Sequence, residues 1–392
     1  MLKILPPFLL IVACIGLPAI ASNVVKETIS IGEASRIPID SKALAENRSL
    51  LIYLPDNYSE SKKSYPVLYL IDGSRHFNHA ISSTQLLQKQ QRVPELIIVA
   101  ISNKDNMLHD PEHGKEKFTL FIKNEVMTYV NKNYRTTGLN TLFGHTRAGW
   151  LTIELLASHP ELFRNYISAS APLQYDQIDI YNKIIANSKT KKTPDKSLYF
   201  TLSNEAEESK LYSDAFNNFV KLLTENPPKN LDWHYEFLTN HTHMTTSIPA
   251  FYNGITHVFS SYQAPRFASY RAYLDFGGMQ GMEAHYNKRA KIYGIDKNIP
   301  EKTLLNLASL LLNEGKTEES LNVFLTLTND FPESAASFSG LGQVYHSMKQ
   351  YDKSIIAHQK AVSLSTKLNP DWQQERFQSR LNKVNEIVQL LN

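Results

Sequence analysis

The segment Phe143-Gly144-His145-Thr146-Arg147-Ala148-Gly149-Trp150 constrains the fold more than any other stretch of the chain. Thr141, Leu142 and Phe143 read as the end of a buried strand. Residues Gly149 to Ser158 read as a helix, with apolar side chains at Leu151, Ile153, Leu155, Leu156 and Ala157. A strand that turns sharply into a helix presents the central side chain above the sheet, in front of a helix N-terminus. Such a turn, a nucleophile elbow, suits a group that attacks an acyl carbon. The turn is crowded, so the residues two before and two after the centre must be small. Gly144 and Ala148 meet that requirement, and Thr146 holds the centre where serine is usual. The five-residue pattern alone also fits an ordinary strand-end turn, so its meaning depends on the rest of the chain.

From about residue 23 to 262, strands and helices alternate. Ser49 to Leu54 reads as a strand, closed by Pro55-Asp56-Asn57. Tyr65 to Ile71 is almost entirely apolar, as a strand buried on both faces must be. Glu95 to Ile101, Asn165 to Ser170, Ser197 to Leu202 and Asp232 to Leu238 follow the same logic. Lys115 to Asn133 has helical spacing, with Phe118, Phe121, Ile122, Val126, Tyr129 and Val130 on one face. Helices are also expected at Lys210 to Thr224 and Ser247 to Phe259. Strands separated by helices predict a mostly parallel sheet with helices on both faces, an α/β architecture.

Ser260 to Pro300 is less regular and reads as a connector. Beyond it, Leu304 to Phe331 and Ala335 to Ser365 read as two helix pairs. Thr317-Glu318-Glu319-Ser320-Leu321 and Tyr351-Asp352-Lys353-Ser354-Ile355 are offset by 34 residues, the tetratricopeptide period. Ser320 and Ser354 stand where a small residue lets paired helices approach. The expected organisation is therefore a sheet domain over 22–262, a connector over 263–300 and an all-α repeat extension over 301–392. An unrelated helical tail is the alternative. Two repeats are fewer than a free-standing array needs, so the extension is expected to lean on the sheet domain.

Residues 1–21 read as an export signal: Lys3, an apolar run from Phe8 to Ile20, and Ala19-Ile20-Ala21 before Ser22. The run is shorter than the ~20 residues of a membrane span. A lipid attachment at Cys14 is the competing reading, but the sequence stays apolar through Ala21. Cleavage after Ala21 removes the single cysteine, leaving no disulfide, thiol nucleophile or cysteine metal ligand. A periplasmic or secreted destination follows. The formal net charge of +3, without a basic block, gives no nucleic-acid surface.

A hydroxyl nucleophile needs a base, and the base needs an orienting group. In the order nucleophile, acid, histidine, the chain offers Thr146, Glu205 and His243, the last two just beyond predicted strands. Glu205, Glu207 and Glu208 also fit the acidic start of a solvated helix. His241 and His243 also fit an exposed loop, and their spacing fits a metal pair without an evident third ligand. The oxyanion donors would be the backbone amides of Arg147 and of Gly73, in the turn Asp72-Gly73-Ser74.

The chain resembles the putative-esterase family of α/β-hydrolases, which includes enterochelin-esterase-like enzymes. The resemblance rests on Tyr53-Leu54-Pro55-Asp56-Asn57-Tyr58, Tyr65-Pro66-Val67-Leu68-Tyr69-Leu70-Ile71-Asp72-Gly73 and Lys132-Asn133-Tyr134-Arg135-Thr136. The elbow, His159-Pro160-Glu161-Leu162-Phe163 and Ser168-Ala169-Ser170-Ala171-Pro172 complete it, over about residues 25 to 262. It implies an α/β-hydrolase fold and a carboxylic-ester hydrolase without cofactor or metal. Thr146 takes the nucleophile position, His243 the base and Glu205 the acid. A small-molecule ester would be the substrate, and the repeats a surface for a protein partner. Two departures stand out: threonine replaces serine at 146, and the Asn103–Gly114 loop lacks the family's Arg-Asp motif. They support a second expectation, a catalytically silent hydrolase fold that binds a ligand or protein.

Overall fold

Strand β3, Tyr65–Ile71, is buried along its whole length, and the architecture follows from that. Its alternate side chains face opposite ways: Val67, Tyr69 and Ile71 enter one apolar layer, Leu68 and Leu70 the other. A strand with no wet face needs cover on both sides. The computed structural model describes residues 33–56, 58–102, 114–189, 195–365 and 372–391. The expected signal segment and nearly all of the Asn103–Gly114 loop lie outside these residues.

The sheet has eight strands: β1 (Glu33–Ser41), β2 (Glu46–Leu54), β3, β4 (Ile97–Ile101), β5 (Thr136–His145), β6 (Asn165–Ala169), β7 (Lys196–Ser203) and β8 (Leu231–Leu238). Their spatial order is β1-β2-β4-β3-β5-β6-β7-β8. The β1–β2 and β2–β4 pairings are antiparallel, and every other pairing is parallel. β1 has no counterpart in the sequence reading. Its segment Glu-Ala-Ser-Arg-Ile-Pro-Ile-Asp-Ser is polar and carries Pro38, a residue tolerated only at a sheet edge, where this strand lies.

One face of the sheet is covered by α1 (Gly73–Lys89) and α7 (Ser247–Val258), which contribute Phe77, Ala80, Ile81, Phe251 and Ile255. The other face is covered by the run from Lys115 to Asn133, α4 (Arg147–Ser158), α5 (Gln177–Ser188) and α6 (Lys210–Glu225). The Lys115–Asn133 run is not one regular helix. It consists of α2 (Lys115–Leu120), a π-helical turn (Phe121–Val126) and α3 (Met127–Asn133). The wider turn keeps Phe118, Phe121, Ile122, Val126 and Val130 all fully buried.

The predicted connector is largely helical, with α8 (Tyr270–Asp275) and α9 (Gly278–Tyr293). Its glycines and scattered tyrosines hide the period. Gly277, the N-cap of α9, and Gly294, its C-cap, both take positive φ. α9 belongs to two cores at once. Tyr293 packs with Phe259 beneath the sheet, and its hydroxyl is 2.9 Å from Ser261 Oγ. Met282 and Tyr286 lie in the apolar core of the repeats, with the Tyr286 hydroxyl 3.0 Å from Thr303 Oγ1. Between them the Arg289 guanidinium stacks 3.9 Å from the Tyr262 ring.

The repeats are α10 (Glu301–Asn313) with α11 (Thr317–Asp330), then α12 (Ala335–Ser347) with α13 (Tyr351–Ser365). A fifth helix, α14 (Trp372–Leu391), packs on α13 and was not foreseen from the sequence. The 34-residue offset is visible atom by atom. Ser320 Oγ donates to the Ala308 carbonyl at 2.8 Å, and Ser354 Oγ donates to the Gly342 carbonyl at 2.7 Å. Both serines are fully buried where the paired helices touch. Among the described residues, no helix is long and apolar enough to cross a membrane.

Candidate functional site

β5 delivers the elbow at the centre of the sheet's C-terminal edge. Thr146 lies between β5 and α4 with φ 53° and ψ −120°. For a β-branched residue this backbone region is strained, by about 1–3 kcal/mol. The surroundings hold it there. The Thr146 amide donates to the Ala169 carbonyl at 2.8 Å, and its carbonyl accepts from the Trp150 amide at 2.9 Å. A Cβ at Gly144 would come within 2.1 Å of the Ala148 carbonyl oxygen. One at Gly149 would come within 2.9 Å of the Ala169 oxygen. Glycine at 144 and 149 is therefore required by backbone packing.

His243 follows β8 in a loop whose position is fixed from several sides. Its Nδ1 lies 3.0 and 2.9 Å from the two carboxylate oxygens of Glu208. Its carbonyl accepts from Thr246 Oγ1 at 2.9 Å and from His145 Nε2 at 2.8 Å. A carbonyl can only accept, so the proton of neutral His145 sits on Nε2. The rings of His145 and His243 are 5.3 Å apart, which brings His243 against the residue preceding Thr146. The Tyr212 ring stands edge-on to His243 at 6.4 Å.

The carboxylate at His243 is that of Glu208, whereas the sequence reading chose Glu205. Glu205 is exposed in the turn after β7. Asn204 explains the difference. Its side-chain oxygen accepts from the amides of Ala206 and Glu207, both at 3.0 Å, and its carbonyl from those of Glu207 and Glu208. This Asx turn throws Glu205 and Glu207 into solvent and brings Glu208 back inside. There Ser203 Oγ donates to Glu208 Oε1 at 2.8 Å. Burial alone raises the Glu208 carboxyl. Hydrogen bonds from His243, Ser203 and Ser170, with the attraction of His243, outweigh it and hold the group below its ordinary range. Three glutamates within four residues were visible in the sequence. The cue that singles out the third is the asparagine that turns the chain.

The two expected oxyanion donors occupy matching places. Arg147 is the first residue of α4, and Gly73 is the first of α1. First-turn amides have no acceptor within their own helix and point outward from it. Gly73 must be glycine, because a Cβ there would lie 2.4 Å from the Ala100 Cβ on β4. Asp72 before it has φ 55° and pairs with Arg75 Nε at 3.2 Å.

Beneath the elbow lies a group that the sequence reading missed: His76, His79 and His145, packed among Phe143 and Phe251. His76 Nδ1 is 3.0 Å from His79 Nε2. Burial, with the charges of His79, His145 and Arg75, pushes His76 down to about 3. Burial pushes His79 and His145 to about 4. All three rings are neutral near pH 7. The helical spacing of His76 and His79 on α1 was the available signal. His241 is not part of the pair with Glu208; its carbonyl accepts from Asn204 Nδ2 at 3.2 Å. Among the described residues, no group of three or more His, Cys, Asp or Glu could hold a metal ion.

The Putative esterase family model matches residues 41–263, more than half of the chain, and a Tetratricopeptide repeat model matches 335–367. The chain is 24% identical over 172 residues to the ferri-bacillibactin esterase BesA of Bacillus subtilis (strain 168), across 35% of this chain and 58% of that protein. It spans about three fifths of the length of the curated relatives it matches. Among solved structures, an IroE-like serine hydrolase from Shewanella oneidensis is 25% identical with a TM-score of 0.58, covering 76% of this chain and 100% of that one. An uncharacterised protein from Capnocytophaga ochracea DSM 7271 has a TM-score of 0.62 at 16% identity, over 90% of this chain and 100% of its own, and shares the fold. The expected α/β-hydrolase fold with a helical-repeat extension is thereby established.

Proposed function

Because the chain belongs to the Putative esterase family, we propose that it hydrolyses a carboxylic ester through an acyl-enzyme on Thr146. The observation that carries this reading is the His243–Glu208 pair held against the elbow. In the proposed cycle, His243 Nε2 takes the Thr146 hydroxyl proton as Oγ1 attacks the ester carbonyl carbon. Glu208 fixes the ring through Nδ1 and stabilises the imidazolium that forms. The amides of Arg147 and Gly73 receive the developing oxyanion. His243 then returns the proton to the departing alkoxide. Water, deprotonated by the same ring, attacks the acyl-threonine and restores the hydroxyl. No metal or organic cofactor enters these steps.

Thr146 favours a second reading, a ligand- or protein-binding module with an impaired site. Its methyl group occupies a turn already strained at φ 53°. Hydrolysis of short p-nitrophenyl esters by wild type, Thr146→Ser and His243→Ala separates the two. Turnover by wild type that His243→Ala abolishes supports the enzyme. Turnover by the serine variant alone supports the silent module. The name borne by the relative BesA makes siderophore esters the natural larger substrates to try. Export to the periplasm or medium, and a protein partner on the repeats, complete the proposal.

A further inference from the structure

We propose that the pocket between α12, α13 and α14 binds a small polyvalent anion carrying phosphate or carboxylate groups. The cavity has a volume of about 500 Å³ and is lined by His346, His358, Arg376, Arg380 and Lys383, with no aspartate or glutamate in its wall. Among the described residues, no carboxylate forms an ion pair with any of its three cations. The inference is independent of the ester chemistry.

Exposed basic residues on a terminal helix are usually just solvated, and Arg376 and Lys383 alone would carry nothing. Arg380 and His358 make the difference. Arg380 is half-buried and donates through Nη1 to Ser339 Oγ at 2.7 Å, which fixes its guanidinium in the wall. His358 is 1% exposed, and its Nδ1 has no hydrogen-bond partner; His346 Nδ1 is likewise unpartnered. The fold forces His358 into place. A Cβ at Gly342 would lie 2.8 Å from its ring atoms, so the glycine exists to admit the imidazole.

The arrangement is electrostatically frustrated. Burial, then the charges of Arg380 and His346, pushes His358 down to about 4. Burial and Arg376 lower Arg380. His358 and Arg380 thus resist the positive charge around them, and an anion relieves both together. The volume exceeds what one phosphate fills, which points to an anion with two or three charged groups.

Isothermal titration of the full chain with pyrophosphate and, separately, with citrate at low ionic strength tests this. Saturable binding with a dissociation constant below about 1 mM is expected for at least one probe. The tighter of the two identifies phosphate or carboxylate as the recognised chemistry. Arg380→Gln should weaken that binding at least tenfold, while Lys302→Gln, on α10 outside the pocket, should leave it unchanged. If Arg380→Gln disturbs the helical circular dichroism, Arg376→Gln on the exposed rim carries the test, with at least a threefold loss expected. No saturable binding of either probe, or binding that survives the pocket substitutions in a folded protein, overturns the proposal. So does equal weakening by Lys302→Gln, which would reveal only a diffuse charge effect.

Discussion

The sheet half and the repeat half use backbone strain in opposite ways. In the sheet half, five non-glycine residues have positive φ; Ala45 and Gln91 lie in ordinary turns, and the other three stand at the C-terminal ends of three adjacent strands. Asp72 (φ 55°) follows β3, Thr146 (φ 53°) follows β5 and Ser170 (φ 45°) follows β6. All three serve one place: the α1 amide end, the elbow, and the carboxylate behind His243. In the repeat half, positive φ occurs at Gly315 (74°) and Lys349 (59°), 34 residues apart, in the turn that joins each helix pair. There it is a structural joint that recurs with the repeat. Strain gathered at one site is a sign of chemistry, and strain spaced by the period is a sign of assembly.

The sharpest way to break this comparison is to remove the site without touching the repeats. In a Thr146→Ser background, His243→Ala is expected to lower kcat/KM by about a thousandfold or more, roughly 4 kcal/mol of barrier. Glu208→Gln should also lower it strongly, whereas Glu205→Gln should change it less than about twofold, because Glu205 is solvated. Steady-state kinetics with unchanged melting curves check this. Equal effects at 205 and 208 would remove the assignment of Glu208.

The next largest effect falls on the joint. Cutting the chain after Pro300 uncovers Met282 and Tyr286 on α9. At about 1.5–3 kcal/mol for each buried side chain, the sheet half should still unfold cooperatively but lose about 3–6 kcal/mol. Urea unfolding of the truncated and full chains measures it. Loss of any cooperative transition would show that the two halves are one core.

Thr146→Ser should raise esterase activity at least tenfold, about 1.4 kcal/mol, by removing a methyl group from the strained turn. Unaltered kinetics would place the defect elsewhere. Ser354→Ala, which removes the hydroxyl's bond to the Gly342 carbonyl, should cost about 1 kcal/mol in the repeats and leave kcat/KM unchanged. The smallest expected effect concerns pH. The folded-state pKa of Glu208 is depressed, so its stabilisation is complete above the ordinary carboxylate value, about 4.3, and fades as pH falls through the folded value. Glu208→Gln should flatten the fall of melting temperature between about pH 5 and 3.

The central strands, the elbow and the 34-residue period were legible because each rests on local pattern. β3, β6 and β7 are buried from end to end and β5 from Leu139 onward, so their apolar runs announce them. β1 and α9 were not legible. β1 is a polar edge held by β2, and α9 divides its buried residues between two partners, so neither presents one clean face. The position of His243 was readable from its distance beyond β8. The partner carboxylate was not, because the choice among Glu205, Glu207 and Glu208 is made by the side chain of Asn204.

The two-faced helix α9 also says something about the order in which the chain acquires its shape. The apolar layer under the sheet is incomplete until Tyr293 is available to dock beside Phe259. Once it docks, Met282 and Tyr286 stand ready as a surface for the next segment to emerge. The repeats can therefore grow outward from a template already in place, as a crystal grows from a seed. Two repeats that are too few to nucleate alone begin with part of their ordering entropy already spent by the domain made before them.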